Sequence, residues 1–309
     1  MSESAIVTGG AGFIGSHVVD ALLERGTSVT VIDDLSSGDA ARVPAAAELR
    51  QLDIVDLPAV LGVFEEVQPS AVYHLAAQAS VIASVTDPGR DCEVNVKGTL
   101  NVVEAANRHG APVAFTSTGG ALYGDEAPMP TPEDTIPSPL SPYGASKLAA
   151  EAYVNTWSLS SGIPHAVCRL GNVYGPRQSP HGEAGVVAIF SSHLHEGRAP
   201  KLFGFGKPTR DYVYVEDVVR ALLAATGKRG TYNVATGVET DVLTLWRELR
   251  ETAGSDIEPE LAELRPGELQ HSRLDVGRAA RELGWRAEVP IAEGLRRTYA
   301  ALLEEFEQE

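Results

Sequence analysis

Short apolar runs alternate with amphipathic helical patterns through the first two thirds of the chain. AIVTG at 5–9 has the character of a buried strand, and FIGSHVVDALLERG at 13–26 carries apolar residues at the spacing of one helix face. The alternation continues, with further strands predicted at 28–33, within 71–77 and at 112–118, 165–172 and 230–237, and helices at about 91–109, 143–160, 214–226, 241–254 and 290–308. This order predicts a parallel sheet with helices on both faces.

The pattern becomes irregular after Tyr174, where GPRQSPHGEAG at 175–185 is rich in turn residues. We therefore predict an α/β protein, with a Rossmann-type doubly wound parallel sheet and a smaller α/β domain interleaved toward the C-terminus. The larger domain is predicted over 1–172 and 211–237, and the smaller domain over 173–210 and 238–309.

The turn between the first predicted strand and helix is rich in glycine. TGGAGFIG places Gly9, Gly12 and Gly15 in a G-x-x-G-x-x-G pattern, which allows a tight turn and close approach of the backbone to a pyrophosphate. Asp33 ends the second predicted strand, where a carboxylate accepts hydrogen bonds from a ribose 2′-hydroxyl and repels a 2′-phosphate. The pattern predicts a dinucleotide site that takes NAD rather than NADP.

Composition excludes several classes of partner. The net charge of −17 leaves no basic excess for binding nucleic acid or an anionic membrane. The chain has no apolar run long enough to cross a bilayer and no signal-peptide pattern at its start, so we expect a cytoplasmic protein. Its two cysteines, Cys92 and Cys168, and its eight histidines show no metal-ligand spacing, so no metal is predicted.

The stretch SPYGASK at 141–147 predicts the start of a helix. Ser141 is a favourable N-cap and Pro142 suits the first helical position, which would place Tyr143 and Lys147 one turn apart on the same face. An isolated pair of this kind is most often a surface contact. The other interpretation is a phenol whose pKa is lowered by the neighbouring ammonium, ready to accept a proton.

Five motifs taken together resemble a known family. They are the N-terminal glycine pattern, Tyr143 and Lys147 in Y-x-x-x-K, HLAA at 74–77, RLGNVYGP at 169–176 and RDYVYVEDV at 210–218. In this order they are similar to the extended short-chain dehydrogenase/reductases, and within them to the UDP-glucose (UDP-galactose) 4-epimerases. The resemblance covers nearly the whole chain and is less specific for the substrate than for the fold.

The resemblance implies that Tyr143 is a general base and that Lys147 binds the nicotinamide ribose and lowers the pKa of the phenol. A positive charge about 4 Å away, at an effective dielectric of about 20, is worth roughly 4 kcal/mol, or some three pKa units. The expected pKa of Tyr143 is therefore close to neutral, and oxidised nicotinamide would add a second positive charge.

The resemblance also implies a third catalytic residue, a serine or threonine at the end of the strand at 112–118, which hydrogen-bonds the substrate hydroxyl. Counted from the strand, this position is Thr118, whereas counted back from Tyr123 it falls on Gly119. Because the sheet holds strand register and glycines absorb insertions, Thr118 is favoured. The alternative is a structural threonine, with Ser117 or water in its place.

The resemblance also implies sets of binding residues. Some of the residues named below also have a structural interpretation. Asp53 could cap a helix, Asn172 could cap a turn, and Arg210 or Arg265 could form a surface ion pair. The implied cofactor contacts are Gly9, Gly12, Phe13, Ile14, Gly15, Asp33, Asp53, Ile54, Leu75, Ala76, Ala77, Asn95, Tyr143 and Lys147. The implied substrate contacts are Ser80, Thr118, Tyr143, Asn172, Arg210, Arg265 and Ser272.

The expected reaction is NAD-dependent 4-epimerisation of a UDP-hexose, UDP-glucose to UDP-galactose and back, through a 4-keto sugar with the NAD retained. Gly119 and Gly120 stand where a 4,6-dehydratase needs Asp and Glu, and Asp33 disfavours an NADPH-dependent ketoreductase. The small Ser272 leaves room for a 2-acetamido group, so UDP-GlcNAc stays open as a substrate, as does UDP-glucuronate. A non-catalytic NAD-binding regulator of the same fold is a further alternative.

In the family, the helices at about 91–109 and 143–160 form a dimer interface, so a homodimer is expected. Four apolar residues of the first helix fit that interface and fit packing on the sheet nearly as well: Val94, Leu100, Val103 and Ala106.

Overall fold

The computed structural model describes residues 3–180, 185–264 and 269–306. Its strands are β1 (Ser4–Thr8), β2 (Ser28–Asp33), β3 (Glu48–Gln51), β4 (Ala71–His74), β5 (Val113–Thr118), β6 (Ala166–Leu170), β7 (Asn172–Tyr174), β8 (Lys201–Leu202), β9 (Thr209–Arg210), β10 (Tyr212–Tyr214), β11 (Gly230–Val234), β12 (Thr240–Asp241) and β13 (Glu260–Leu261). Its helices are α1 (Phe13–Glu24), α2 (Leu57–Val67), α3 (Val81–Thr86), α4 (Pro88–Cys92), α5 (Thr99–Arg108), α6 (Pro142–Ser161), α7 (Val186–His195), α8 (Val215–Ala225), α9 (Val242–Thr252), α10 (Gly277–Glu282) and α11 (Ile291–Phe306).

The main sheet has seven parallel strands in the order β11-β6-β5-β4-β1-β2-β3. This confirms the predicted Rossmann-type α/β fold. The chain leaves β1 toward β2 on one side and later returns to β4 on the other, so the strand order reverses between β1 and β4. In sheets of this kind a ligand crevice lies beyond the carboxyl ends of the strands at that reversal.

The apolar run of β1 serves two cores. Ala5 and Val7 pack with residues of α1 and α8, whereas Ile6 packs on the other face with residues of α2, α5 and α6. Both faces of the strand are therefore buried, which is why its sequence is continuously apolar rather than alternating. No helix of the described ranges is long and apolar enough to cross a membrane.

A separate apolar cluster gathers residues from the irregular half of the chain. Phe190 of α7 and Trp246 of α9 pack edge to face, with ring centroids 5.3 Å apart, and Leu295 of α11 joins them. Tyr174 and Tyr214, at the ends of the paired strands β7 and β10, belong to the same cluster. This separate cluster is therefore connected to the main sheet through β7, which follows β6, and β10, which precedes α8.

A single helix is predicted at about 91–109, but the structure has a longer, interrupted helical segment there. It begins at Pro88 and is interrupted by a π-helical turn, Glu93–Gly98, between α4 and α5. Thr99 donates a hydrogen bond to the carbonyl oxygen of Asn95 at 2.6 Å within this turn. Of the four residues considered for a dimer interface, Val103 and Ala106 are buried in the core beneath the sheet and are not available at the surface.

Candidate active site

A cleft of about 700 Å³ lies at the reversal point, beyond the carboxyl ends of β1, β2, β4 and β5. The glycine turn forms one wall and the start of α6 forms another, so the cleft joins the two motifs that the sequence singled out. Of the cofactor residues proposed from sequence, those that line it are Gly9, Gly12, Phe13, Ile14, Gly15, Asp33, Asp53, Ile54, Leu75, Ala76, Ala77, Tyr143 and Lys147.

The glycines of the turn are required by space and by backbone conformation. Gly9 has a φ of +71°, and a Cβ there would lie 2.6 Å from the backbone nitrogen of Ala76. A Cβ on Gly15 would collide with the carbonyl oxygen of Gly9. The turn therefore packs against β4 and α1 with no room for side chains, and its backbone faces the cleft as a phosphate cradle would.

Asp33 is held in place by the turn that it faces. Its Oδ2 accepts a hydrogen bond from the backbone N–H of Ala11 at 3.0 Å, and its Oδ1 accepts one from Leu35 at 2.9 Å. The side chain is buried yet borders the cleft, and each oxygen retains a lone pair. It can thus accept ribose hydroxyl hydrogen bonds, as the sequence predicts for NAD.

The helix α6 presents Tyr143 and Lys147 to the cleft as its first-turn sequence predicts. The Ser141 hydroxyl accepts a hydrogen bond from the N–H of Gly144 at 3.2 Å, and Pro142 occupies the first turn. Lys147 is buried, and its Nζ lies 4.7 Å from the centroid of the Phe115 ring of β5. Both side chains line the same cleft, which favours the chemical interpretation of this pair over a surface contact.

The pKa values of Tyr143 and Lys147 are both shifted by burial and by neighbouring carboxylates, and the shift of Tyr143 is opposite to the one expected from sequence. Burial raises the pKa of Tyr143 to about 12, and the Asp91 carboxylate adds to the rise. For the chain alone the pKa of Tyr143 is therefore not near neutral, because loss of hydration and the Asp91 charge both favour the protonated phenol. Burial lowers the pKa of Lys147 to about 8, against the opposing carboxylates of Glu151 and Asp91.

The candidate hydroxyls at the end of β5 differ in their surroundings. Ser117 lines the cleft, and its buried hydroxyl has no hydrogen-bond partner among the described residues. Thr118 is not part of the cleft wall, and its hydroxyl oxygen accepts a hydrogen bond from the N–H of Ala121 at 3.1 Å. That bond orients Thr118 while leaving its own hydrogen free to donate.

Two proposed cofactor residues are occupied by protein contacts. Asp53 receives the Arg90 guanidinium at 2.8 Å and the N–H of Val55 at 2.9 Å, while Asp56 caps α2. Burial alone would raise the pKa of Asp53, but these hydrogen bonds lower it. Asn95 is not among the residues that line the cleft, and its buried amide is hydrogen-bonded to Gln78, which does line it, and to Ser146.

The proposed substrate residues are dispersed. Ser80 lines the main cleft and caps α3, whereas Ser272 lines a small neighbouring cavity of about 20 Å³ together with Gly119 and Gly120. Asn172 and Arg210 lie on β7 and β9 and border neither cavity. Arg265 lies outside the described residues.

Several cleft residues were not identified from sequence. Gln78 and Gln178 carry no motif of their own, and Ser36 and Ser37 belong to the loop after β2. Gln78 follows HLAA directly, and that proximity was the only available signal for it. Among the residues described, no group of three or more His, Cys, Asp or Glu side chains is placed to hold a metal ion.

Comparison with known proteins agrees with this geometry. Residues 5–235 match the NAD dependent epimerase/dehydratase family. The chain belongs to this family. A family relative, the UDP-glucose 4-epimerase of Mycolicibacterium smegmatis, is 47% identical over 302 residues that cover 95% of this chain and 96% of the relative.

Two crystal structures of family members are also close. The UDP-glucose 4-epimerase of Thermotoga maritima, solved with UDP-glucose, has a TM-score of 0.95 and 44% identity, covering 98% of this chain and 99% of that one. The UDP-glucose 4-epimerase of Thermus thermophilus, solved with NAD, has a TM-score of 0.90 and 43% identity, covering 97% and 99%.

Proposed function

We propose that this member of the family is an NAD-dependent UDP-hexose 4-epimerase that interconverts UDP-glucose and UDP-galactose. The observation that carries the proposal is the single cleft in which the glycine turn, Asp33, Tyr143 and Lys147 meet. The relatives named above support the choice of reaction, because their names specify a UDP-glucose 4-epimerase and their sequences cover nearly the whole chain.

Bound NAD supplies a hydride acceptor and, while oxidised, a positive charge that favours the ionised form of a neighbouring phenol. Tyr143 removes the proton from the sugar O4 as the C4 hydrogen leaves as hydride, so the C4–O4 bond becomes a carbonyl. The 4-keto sugar turns over, the hydride returns to its opposite face, and Tyr143 gives the proton back to O4. No atom or electron is gained or lost over the cycle.

Lys147 has two tasks in this proposal. As an ammonium it donates hydrogen bonds to the nicotinamide ribose, and it opposes the rise in the Tyr143 pKa that burial causes. Its own pKa of about 8 means that it is mostly protonated at neutral pH and loses its charge as the pH rises through that value. Activity should therefore decline on the alkaline side for this reason.

We assign the third hydroxyl to Thr118, with Ser117 as the competing candidate. The Ala121 N–H fixes the threonine oxygen from one side, so its hydroxyl hydrogen can point to a substrate oxygen. Ser117 lines the cleft and is unpartnered among the described residues, which suits a contact to the cofactor side equally well. Separate substitutions distinguish the two.

Ser272 favours a second substrate, a UDP-N-acetylhexosamine. It lines a small cavity with Gly119 and Gly120, and the bulky Tyr123 and Leu274 line the same cavity, so the support for this substrate is the small size of Ser272 itself. We propose Asn172, Arg210 and Arg265 as contacts to the diphosphate–sugar, with Ser80 nearer the nicotinamide end. The domain limits, 1–172 with 211–237 and 173–210 with 238–309, remain part of this proposal, as do a homodimer and a cytoplasmic location.

The direct test is an assay of the purified protein with UDP-glucose and no added NAD, followed by NMR or chromatography. Appearance of UDP-galactose would support both the reaction and the retention of NAD through each turnover. If NAD is present in the protein but no product forms, UDP-GlcNAc and UDP-glucuronate are tested next. Failure with all three sugars would contradict the proposed function.

A further inference from the structure

A carboxylate is buried directly behind the proposed catalytic pair. Asp91 of α4 is 1% exposed, and no ion pair joins it to a basic side chain of the described residues, which is unusual for a buried acid. Its Oδ1 accepts hydrogen bonds from the Gln78 side-chain amide at 2.8 Å and from the Asn95 side-chain amide at 3.1 Å. Two neutral amides, rather than a cation, therefore hold this carboxylate.

The same amides connect the cleft wall to the helix that carries Tyr143. The Asn95 Nδ2 lies 3.0 Å from the Ser146 hydroxyl, which donates a hydrogen bond to the Tyr143 carbonyl oxygen at 3.0 Å. The N–H of Gln78 donates to the Asn95 Oδ1 at 2.9 Å, and Gln78 itself lines the cleft. A chain of hydrogen bonds therefore connects Asp91, through Asn95 and Ser146, to the backbone of Tyr143.

Two buried carboxylates raise the pKa of Lys147 against the effect of burial, Glu151 more strongly than Asp91. Glu151 lies one turn beyond Lys147 but is paired with the guanidinium of Arg169 from β6, at 2.6 Å. His74 of β4 has its pKa lowered by burial to about 3, so it is neutral. The charged side chains that α4, the π turn and α5 present near α6 are otherwise 40–58% exposed: Arg90, Glu93, Lys97, Glu104 and Arg108. Strand β5 and helix α3 contribute no titratable side chain.

We infer that Asp91 is a positioning residue for the proposed reaction: it anchors the Gln78–Asn95–Ser146 hydrogen bonds and places a buried negative charge near Tyr143. The inference rests on the proposed function. Because the Asp91 charge disfavours a second negative charge nearby, the protein alone does not favour the tyrosinate, and ionisation of Tyr143 depends on the positive charge of the oxidised cofactor. The base is then available when hydride is to be removed from the sugar.

The test is Asp91→Asn, which keeps the shape of the side chain and removes its charge. The titration of Tyr143 is followed by the ultraviolet absorbance of tyrosinate in the purified holoenzyme. Subtracting the titration of the matching protein with Tyr143→Phe isolates this residue from the other tyrosines. We expect the pKa of Tyr143 to fall by about one unit or more, and the acid limb of kcat against pH to move down with it.

Glu104→Gln is the matched control, since it removes one negative charge from an exposed, surface-paired side chain on α5. It should leave the titration in place. Ser146→Ala cuts the hydrogen-bond chain without changing a charge, so it should lower kcat without moving the titration. If Asp91→Asn does not fold, Asp91→Ser removes the same charge with a smaller side chain.

A loss of activity in Asp91→Asn that is equal at every pH, with an unchanged tyrosinate titration, would overturn the inference and leave Asp91 a structural residue. The titration needs no UDP-sugar turnover. If the native protein fails to epimerise any UDP-sugar, the proposed function fails, while the titration still decides the role of Asp91.

Discussion

The cofactor side and the sugar side of the candidate site are built differently. On the cofactor side, the glycine turn follows β1 and Asp33 ends the neighbouring strand β2. The start of α6 lines the same cleft. The residues proposed for the sugar side, Ser272, Arg210 and Asn172, lie on short strands and loops, and only Ser272 lines a cavity. Residues carried by a regular sheet are placed by its register, whereas residues on irregular segments are placed by packing that motifs do not encode.

The largest loss of activity should come from a change at Tyr143, the proposed general base. Tyr143→Phe removes the phenol oxygen that takes the sugar proton, so kcat should fall by about 10³-fold while NAD stays bound. Tyr153→Phe is the matched control, because Tyr153 lies on the same helix and is 40% exposed. Turnover is measured beside cofactor content. Substantial activity in Tyr143→Phe would mean that another group is the base.

The glycine turn can be broken with a single methyl group. In Gly15→Ala the new Cβ meets the Gly9 carbonyl oxygen, and relieving that clash should cost about 1–3 kcal/mol, or roughly 5–150-fold in NAD affinity. Gly62→Ala on α2 is the control, because nothing lies within 4 Å of its Cβ. NAD per protein chain is counted after gel filtration. Equal NAD in both variants would separate the turn from cofactor binding.

The hydroxyls of β5 stand where the two sides meet. Thr118→Val keeps the volume and removes the proposed donor to the substrate, so kcat should fall about 10²-fold. Ser117→Ala should lower it only severalfold, since that hydroxyl makes no hydrogen bond to a described residue. Rates at saturating substrate decide between them. The reverse order would assign the third hydroxyl to Ser117.

The smallest effect is expected on the sugar side, as a change in preference rather than a loss. Ser272→Tyr fills the small cavity beside Gly119 and Gly120, so the ratio of kcat/KM for UDP-GlcNAc to that for UDP-glucose should fall about tenfold. Ser160→Tyr, at an exposed position of α6, controls for the added ring. An unchanged ratio would remove Ser272 as a determinant of substrate range.

Particular residues show how far sequence reasoning reached. Gly9, Gly15 and Asp33 were identified correctly as parts of one cleft, because a strand–turn–helix unit is local and its spacing fixes its geometry. Asn95 was expected at the cofactor and stays a prediction; in the folded chain its side chain is buried and hydrogen-bonded to Gln78 and Ser146. Gln78 and Asp91 were not identified, since neither belongs to a motif and their partners lie on other elements.

The sequence by itself determined the parallel sheet, the dinucleotide turn and the helix that carries Tyr143 and Lys147, because each depends on periodicity and short-range spacing. Only the tertiary structure decided the electrostatics of that pair. The spacing of Tyr143 and Lys147 predicts a lowered phenol pKa, yet in the folded chain burial and Asp91 raise it to about 12. Desolvation and distant charges depend on which elements pack together, and no local pattern in the chain records that.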